Sequence, residues 1–159
     1  MTKRLLHNAQ VIDPEAGTIT RADIRIENGL ITQVNQSPLH ANPNEHSVDC
    51  HNKYLAPGII DIGVKVCEPG ERHKESFKSA GLAAAAGGIT TMVTRPDTTP
   101  AIDSPETLEF IARRANQSTP VNVIPMSALT KGRNGREMSE IGFLMDAGAI
   151  AFTDCDHVV

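Results

Sequence analysis

Residues 56–70 read Ala56-Pro57-Gly58-Ile59-Ile60-Asp61-Ile62-Gly63-Val64-Lys65-Val66-Cys67-Glu68-Pro69-Gly70. Residues 59–66 alternate. Ile60, Ile62, Val64 and Val66 share one face, and Asp61, Gly63 and Lys65 share the other. That is the period of a strand, whose successive side chains point to opposite sides. From here the chain repeats a rhythm of strand, loop and helix. A helix is expected over 74–86, stopped by Gly87-Gly88. A strand follows over 89–94. Ser104 then caps a helix that has Pro105 in its first turn and runs to about 116. Residues 121–125 form the third strand. Residues 136–147 form the third helix, with Met138, Ile141, Leu144 and Met145 on one face and Gly148 at its end. Residues 149–153 form a fourth strand. Strands that alternate with helices pair in parallel.

Upstream of Pro57-Gly58 the signals are β. Residues 5–12 read as a strand ended by Asp13-Pro14. Residues 22–27 and 30–35 flank Asn28-Gly29, the dipeptide of a type I′ hairpin, in which both turn positions need φ > 0. Residues 37–45 are polar and contain proline, so they read as a loop. Residues 48–55 form a further strand. The expected organisation is a small β-rich, sandwich-like domain over 1–56 and a run of β/α units over 57–159. A (β/α)₈ barrel needs about 250 residues. A chain of 159 residues ending on a strand therefore predicts the first portion of a longer, TIM-type α/β barrel. The competing architecture is an open α/β domain of flavodoxin-like order, which leaves the β-rich start unexplained.

Composition excludes several classes. Apolar residues make up 40% of the chain, enough for a core, but aromatics are only 3% and Trp is absent, so that core is aliphatic. The formal charge is −4, and no basic patch interleaved with aromatics appears, so no nucleic-acid partner is expected. Cys50, Cys67 and Cys155 are odd in number and widely spaced, which fits a reduced, cytoplasmic setting. The first thirteen residues are neither a signal peptide nor a spanning helix, so no membrane is expected.

The 56–70 stretch resembles the first barrel strand of the cyclic amidohydrolases, and among them the dihydroorotases, whose pattern is roughly P-G-x-x-D-x-H-x-H-x-R-x-P-G. Pro57, Gly58, Asp61, Glu68, Pro69 and Gly70 keep the frame. Further on, Gly87, Gly88, Thr90, Thr91, Pro96, Thr98, Pro100 and Asp103 match a second stretch of the family. Residues 128–132, 140–142 and 148–154 resemble its third and fourth units. Val11-Ile12-Asp13-Pro14 and Asn28-Gly29-Leu30-Ile31 resemble its small β-domain. The likeness covers essentially the whole chain.

The resemblance implies a chemistry. Dihydroorotases interconvert N-carbamoyl-aspartate and dihydroorotate in pyrimidine biosynthesis, using a zinc-bound hydroxide whose pKa the metal lowers to about 7. The family's two histidine positions hold Gly63 and Lys65 here, and its substrate-binding arginine and asparagine positions hold Cys67 and Asp97. Gly63 has no ligand atom, and Lys65 is a hydrated cation that does not bind zinc at neutral pH. Cys67 cannot make an arginine's bidentate grip. A carboxylate at Asp97 facing a substrate carboxylate at about 4 Å costs about 4 kcal/mol at an effective dielectric near 20. Asp154 alone keeps its family position, an acidic metal ligand after the fourth strand.

Lys65 has two readings. Its stem snorkels to solvent, or its ammonium replaces the metal's charge and pairs with Asp154. Cys67 reads as an inert small residue. Asp154-Cys155-Asp156-His157 is the one ligand-like cluster, but neighbours on a strand cannot all face one ion. Two functions follow. One is a catalytically inactive dihydroorotase homologue, with no cofactor, that serves as a structural partner of aspartate carbamoyltransferase in a homo- or hetero-oligomer. The other is an active hydrolase of cyclic amides with altered ligands, which would hold zinc.

Overall fold

A computed structural model describes residues 2–159. The chain forms two compact units, the first ending at Pro57 and the second running Gly58–Val159.

The first unit is one sheet. Strands β1 (Lys3–Asp13), β2 (Thr18–Glu27), β3 (Leu30–Asn35) and β4 (His46–Asp49) lie in the order β3-β2-β1-β4, and β5 (Tyr54–Leu55) also pairs with β1. β1 and β2 are antiparallel, whereas β4 and β5 run parallel to β1. The β2–β3 hairpin turns on Asn28 (φ 53°) and Gly29 (φ 83°), as the dipeptide predicts. Leu5, Ala9, Ala22 and Ile24 are buried. The polar loop that follows β3 is tied down by the buried Asp23, whose Oδ2 accepts from Leu39 N at 2.8 Å and whose Oδ1 accepts from Asn8 N at 2.9 Å.

The second unit holds β6 (Ile59–Val64), α1 (Phe77–Ala86), β7 (Ile89–Thr94), α2 (Pro105–Ser118), β8 (Asn122–Pro125) and α3 (Ile141–Asp146). β6, β7 and β8 form a parallel sheet in that order, as the alternation of strand and helix predicts. α1 begins at Phe77 because Ser76 caps it, accepting from Ser79 N at 3.2 Å. α2 begins at Pro105 with Ser104 as its cap, and buries Leu108, Ile111 and Ala115 along one stripe. The core joins those residues to Phe77, Ala80, Ala84, Met92, Val66 and Leu144.

Three expectations are corrected. Strict alternation in β6 fails at Gly63, where a register shift opens between Ile62 and Val64. Gly63 takes φ +91°, a conformation that residues with a Cβ rarely adopt. The shift sends Val64 and Val66 to the helix-covered core, while Ile60 and Ile62 remain 61% and 72% exposed. The third helix is a single short one over Ile141–Asp146. Its expected first turns instead fold back as a loop, in which Thr130 bridges Met138 antiparallel and Lys131 N donates to Glu137 O at 2.8 Å. Gly132 and Gly135 supply positive φ there. Met138, assigned to a buried face, is exposed. The fourth strand is reduced to one parallel bridge, Ser127 to Phe152, held by Ser127 N to Ala151 O and Thr153 N to Ser127 O, both at 3.0 Å.

Gly58 is required by space. A Cβ there would stand 2.1 Å from Thr90 Cγ2, across the β6–β7 pair. Gly58→Ala is expected to lower the unfolding free energy by about 1–3 kcal/mol. Gly142→Ala, in α3 with nothing within 4 Å of the added carbon, is expected to be neutral or to stabilise by up to about 1 kcal/mol. Urea unfolding of both variants measures the contrast.

Candidate functional site

The C-terminal ends of parallel strands point one way, so the segments leaving β6, β7 and β8 gather at one mouth of the sheet. An open cavity of about 430 Å³ lies there, lined by Gly63, Arg95, Met126, Thr153, Cys155 and Asp156. The β6 and β7 loops are tied together by Arg95 N to Val64 O at 2.9 Å and Thr99 N to Pro69 O at 3.2 Å.

A chain of alternating charges crosses this mouth. Lys65 Nζ stands 3.1 Å from Asp97 Oδ2, and Arg95 Nη2 stands 3.0 Å from the same oxygen. Arg95 Nη2 is also 3.9 Å from Asp156 Oδ1. Asp156 pairs closely with Arg133, whose Nη2 donates to the backbone oxygen of Asp154 at 3.2 Å. The side chain of Asp97 is only 3% exposed, while that of Lys65 is 53% exposed. Burial alone would weaken the charge on Arg95. Cys155, Asp97 and Asp156 outweigh that effect and hold the guanidinium more firmly protonated than usual.

Asp154 is placed differently from expectation. Oδ1 accepts from Leu129 N at 2.9 Å and Thr130 N at 3.0 Å, and Oδ2 accepts from the Thr130 hydroxyl. Burial pushes its carboxyl up, but these hydrogen bonds prevail and hold it below the ordinary carboxylate range. It is therefore a brace for the 129–130 turn, and the expected Lys65–Asp154 pair does not form. Lys65 is drawn to Asp97 instead, and Asp154 already has its donors.

The expected electrostatic clash at Asp97 is also revised, because two cations converge on that carboxylate. Cys67 is half buried with a free thiol, two residues beyond Lys65. Asp156 and His157 both turn to Arg133, with His157 Nδ1 2.6 Å from its carbonyl oxygen, so the Asp-Cys-Asp-His run does not converge. The donor set at the end of β6 does not fit zinc. Gly63 offers no ligand and Lys65 is an ion-paired cation. Among the described residues no three His, Cys, Asp or Glu side chains stand together as a metal cage.

Sequence reasoning overlooked Arg95, Arg133 and the work of Glu68. Arg95 was legible. It lies two residues before Asp97 across a proline, where an uncompensated carboxylate calls for a cation. Arg133 lies before the helix expected over 136–147, in a stretch to which the sequence reading gave no element. Glu68 is 7% exposed. Its Oε2 accepts from Phe77 N, at the start of α1, at 2.9 Å, and its Oε1 accepts from Arg114 Nε of α2 at 3.0 Å. One carboxylate thus fastens the β6 loop to both helices.

A three-stranded parallel sheet with covering helices and its polar residues gathered at the strands' C-terminal ends is the arrangement of an α/β enzyme segment, barrel or open sheet. The L-hydantoinase (dihydropyrimidinase) of Arthrobacter aurescens superposes with a TM-score of 0.83 at 23% identity, over 96% of this chain and 32% of that one. The D-hydantoinase of a Thermus species superposes with a TM-score of 0.70 at 26% identity, over 90% of this chain and 30% of that one. The family model described as dihydro-orotase-like matches residues 52–159. The chain belongs to the dihydroorotase-like family of the cyclic amidohydrolase superfamily. The dihydroorotase of Geobacillus thermodenitrificans is 39% identical over 140 residues, 88% of this chain and 33% of the relative. That of Aquifex aeolicus is 36% identical over 154 residues, 97% and 36% respectively. The chain spans about a third of the length of these relatives. No helix among the described residues is long and apolar enough to cross a membrane.

Two measurements check this geometry. Lys65→Met and Asp97→Asn are expected to couple by about 0.5–1 kcal/mol in a double-mutant cycle, a low figure because Lys65 is half exposed, while Lys65→Met and Asp154→Asn are expected not to couple. For Glu68, burial raises the carboxyl pKa but the Phe77 amide and Arg114 outweigh it, so the folded value lies below 4.5. A depressed folded pKa contributes stability above the unfolded value and loses it as pH falls through the folded one. Stability is therefore expected to decline below about pH 4.5, and Glu68→Gln to flatten that decline in pH-dependent urea melts.

Proposed function

We propose that this chain is a dihydroorotase-family protein without dihydroorotase turnover, serving as a structural partner of aspartate carbamoyltransferase. The observation that carries this reading is the Lys65–Asp97–Arg95 cluster, with both cations within 3.1 Å of one carboxylate oxygen. The family's zinc chemistry needs neutral or anionic ligands at the end of the first strand, and a cation already neutralised by protein charge stands there instead. Asp154 keeps the family's acidic residue, but both its oxygens are engaged by Thr130 and Leu129. A zinc ion would have to displace those bonds to use it.

What the residues of the mouth do without a metal is structural. Lys65 and Arg95 neutralise a buried carboxylate, and Arg133 draws the 154–156 segment against the 130–133 loop. A scaffold stiffened this way retains the outer surface of an amidohydrolase, which is what a partner enzyme would recognise. The two relatives compared by sequence are dihydroorotases, and that likeness is what suggests the pyrimidine pathway and, with it, aspartate carbamoyltransferase as the partner.

The full-length protein decides the matter in three assays. Zinc per chain is expected to be far below stoichiometric after purification without chelator, and dihydroorotate hydrolysis to lie far below the ordinary enzyme range of about 1–1,000 per second. Stoichiometric zinc with turnover in that range would establish the active hydrolase instead. Co-sedimentation with purified aspartate carbamoyltransferase is expected as a stable complex. Its failure would remove the partner while leaving the activity result standing.

A further inference from the structure

The chain contains two Asn-Gly pairs, Asn28-Gly29 and Asn134-Gly135. Such a pair carries its own reaction. Glycine has no Cβ to shield its backbone nitrogen, so that nitrogen can reach the side-chain carbonyl carbon of the preceding asparagine. The N–Cγ bond forms, the Cγ–Nδ2 bond breaks, and the glycine amide proton leaves with Nδ2 as ammonia. Water then opens the cyclic succinimide at either carbonyl. The product is aspartate, or isoaspartate, whose backbone runs through the side chain. The reaction needs only water and freedom of the glycine nitrogen to turn toward Cγ.

The structure gives the two pairs opposite surroundings. Gly135 N donates to Thr130 Oγ1 at 2.9 Å, and the Thr130 hydroxyl donates to the buried Asp154. Asn134 N donates to Lys131 O at 3.3 Å, and Lys131 N to Glu137 O at 2.8 Å. Asn134 has ψ −2°, which turns Gly135 N away from the asparagine side chain. Attack requires rotation of that peptide, and the rotation breaks the bond to Thr130.

Asn28-Gly29 is the exposed tip of the β2–β3 hairpin. Asn28 N donates to Thr2 O at 3.0 Å, but Gly29 N has no backbone partner among the described residues. A Cβ built on Gly29 meets nothing within 4 Å. This turn must also open for the attack. Its opening disturbs only the last pair of the hairpin, Glu27 with Leu30, beside a strand exposed from Leu30 to Val34. Frayed ends of this kind open at little cost.

We infer that Asn28 is a site of spontaneous deamidation in the folded protein, and that the Thr130 hydroxyl guards Asn134 from the same reaction. Aspartate at position 28 places a second carboxylate beside Glu27, whose own partner is Lys3 at 3.2 Å. Isoaspartate lengthens the backbone of a turn that fixes how β2 meets β3. Zinc content and turnover at the mouth do not report on this chemistry.

The test is to age the full-length protein in mildly alkaline buffer without denaturant and map its peptides by mass spectrometry, with fragmentation that separates isoaspartate from aspartate. Deamidation at Asn28 is expected to run about tenfold or more faster than at Asn134. In urea-unfolded protein the two sites are expected to react at similar rates. Thr130→Val is expected to raise the Asn134 rate toward its unfolded value, and Thr130→Ser, which keeps the hydroxyl, to leave it low. An unmodified Asn28, equal rates at the two sites in the folded protein, or an Asn134 still protected in folded Thr130→Val would overturn the inference. The comparison of the two sites within the unaltered protein decides it even where Thr130→Val fails to fold.

Discussion

The second unit is organised around a carboxylate that cannot be left alone. The Asp97 side chain is withdrawn from water, and a lone charge so placed is costly unless cations meet it. Lys65 arrives from the end of β6 and Arg95 from the end of β7. Arg95 also leans toward Asp156, which recruits Arg133, which in turn holds the Asp154 carbonyl. The sign alternates at each step, so the ends of the strands and the loops beyond them are bound by a sequence of local neutralisations.

Local chemistry decided what was legible in the sequence. The β2–β3 turn, the Ser104–Pro105 helix start and the parallel pairing of β6 with β7 each rest on a short-range rule, and each stands where the residues put it. The failures have non-local causes. The 136–147 segment has helix-compatible apolar spacing, but its first residues are claimed by the Thr130–Met138 bridge, beside glycines at positive φ, so the helix starts only at Ile141. The alternation of β6 breaks at a bulge that a hydrophobic pattern cannot register. At the site, Lys65 and Asp97 were both singled out, but Lys65 was assigned the wrong acid. The family resemblance put Asp154 at the mouth without revealing that a neighbouring turn already donates to it.

Glu68 shows that a residue of the family frame can do mechanical work. It lies just beyond the first strand of the second unit, and its bonds run to the α1 start and to Arg114. Its work is mechanical, and so are the close fit of Gly58 against Thr90 and the brace made by Asp154. Positions of this kind serve the fold independently of the chemistry at the mouth.

The bulge at Gly63 bears on direction. A glycine at φ +91° lets the strand shift register and sends Val64 and Val66 into the core. A histidine placed at that position would inherit a backbone that side-chain-bearing residues reach only at a cost of order 1–3 kcal/mol. Undoing the bulge instead would move two valines off the core side. Either change at position 63 therefore leaves a less stable protein, and the glycine is held there by the backbone itself.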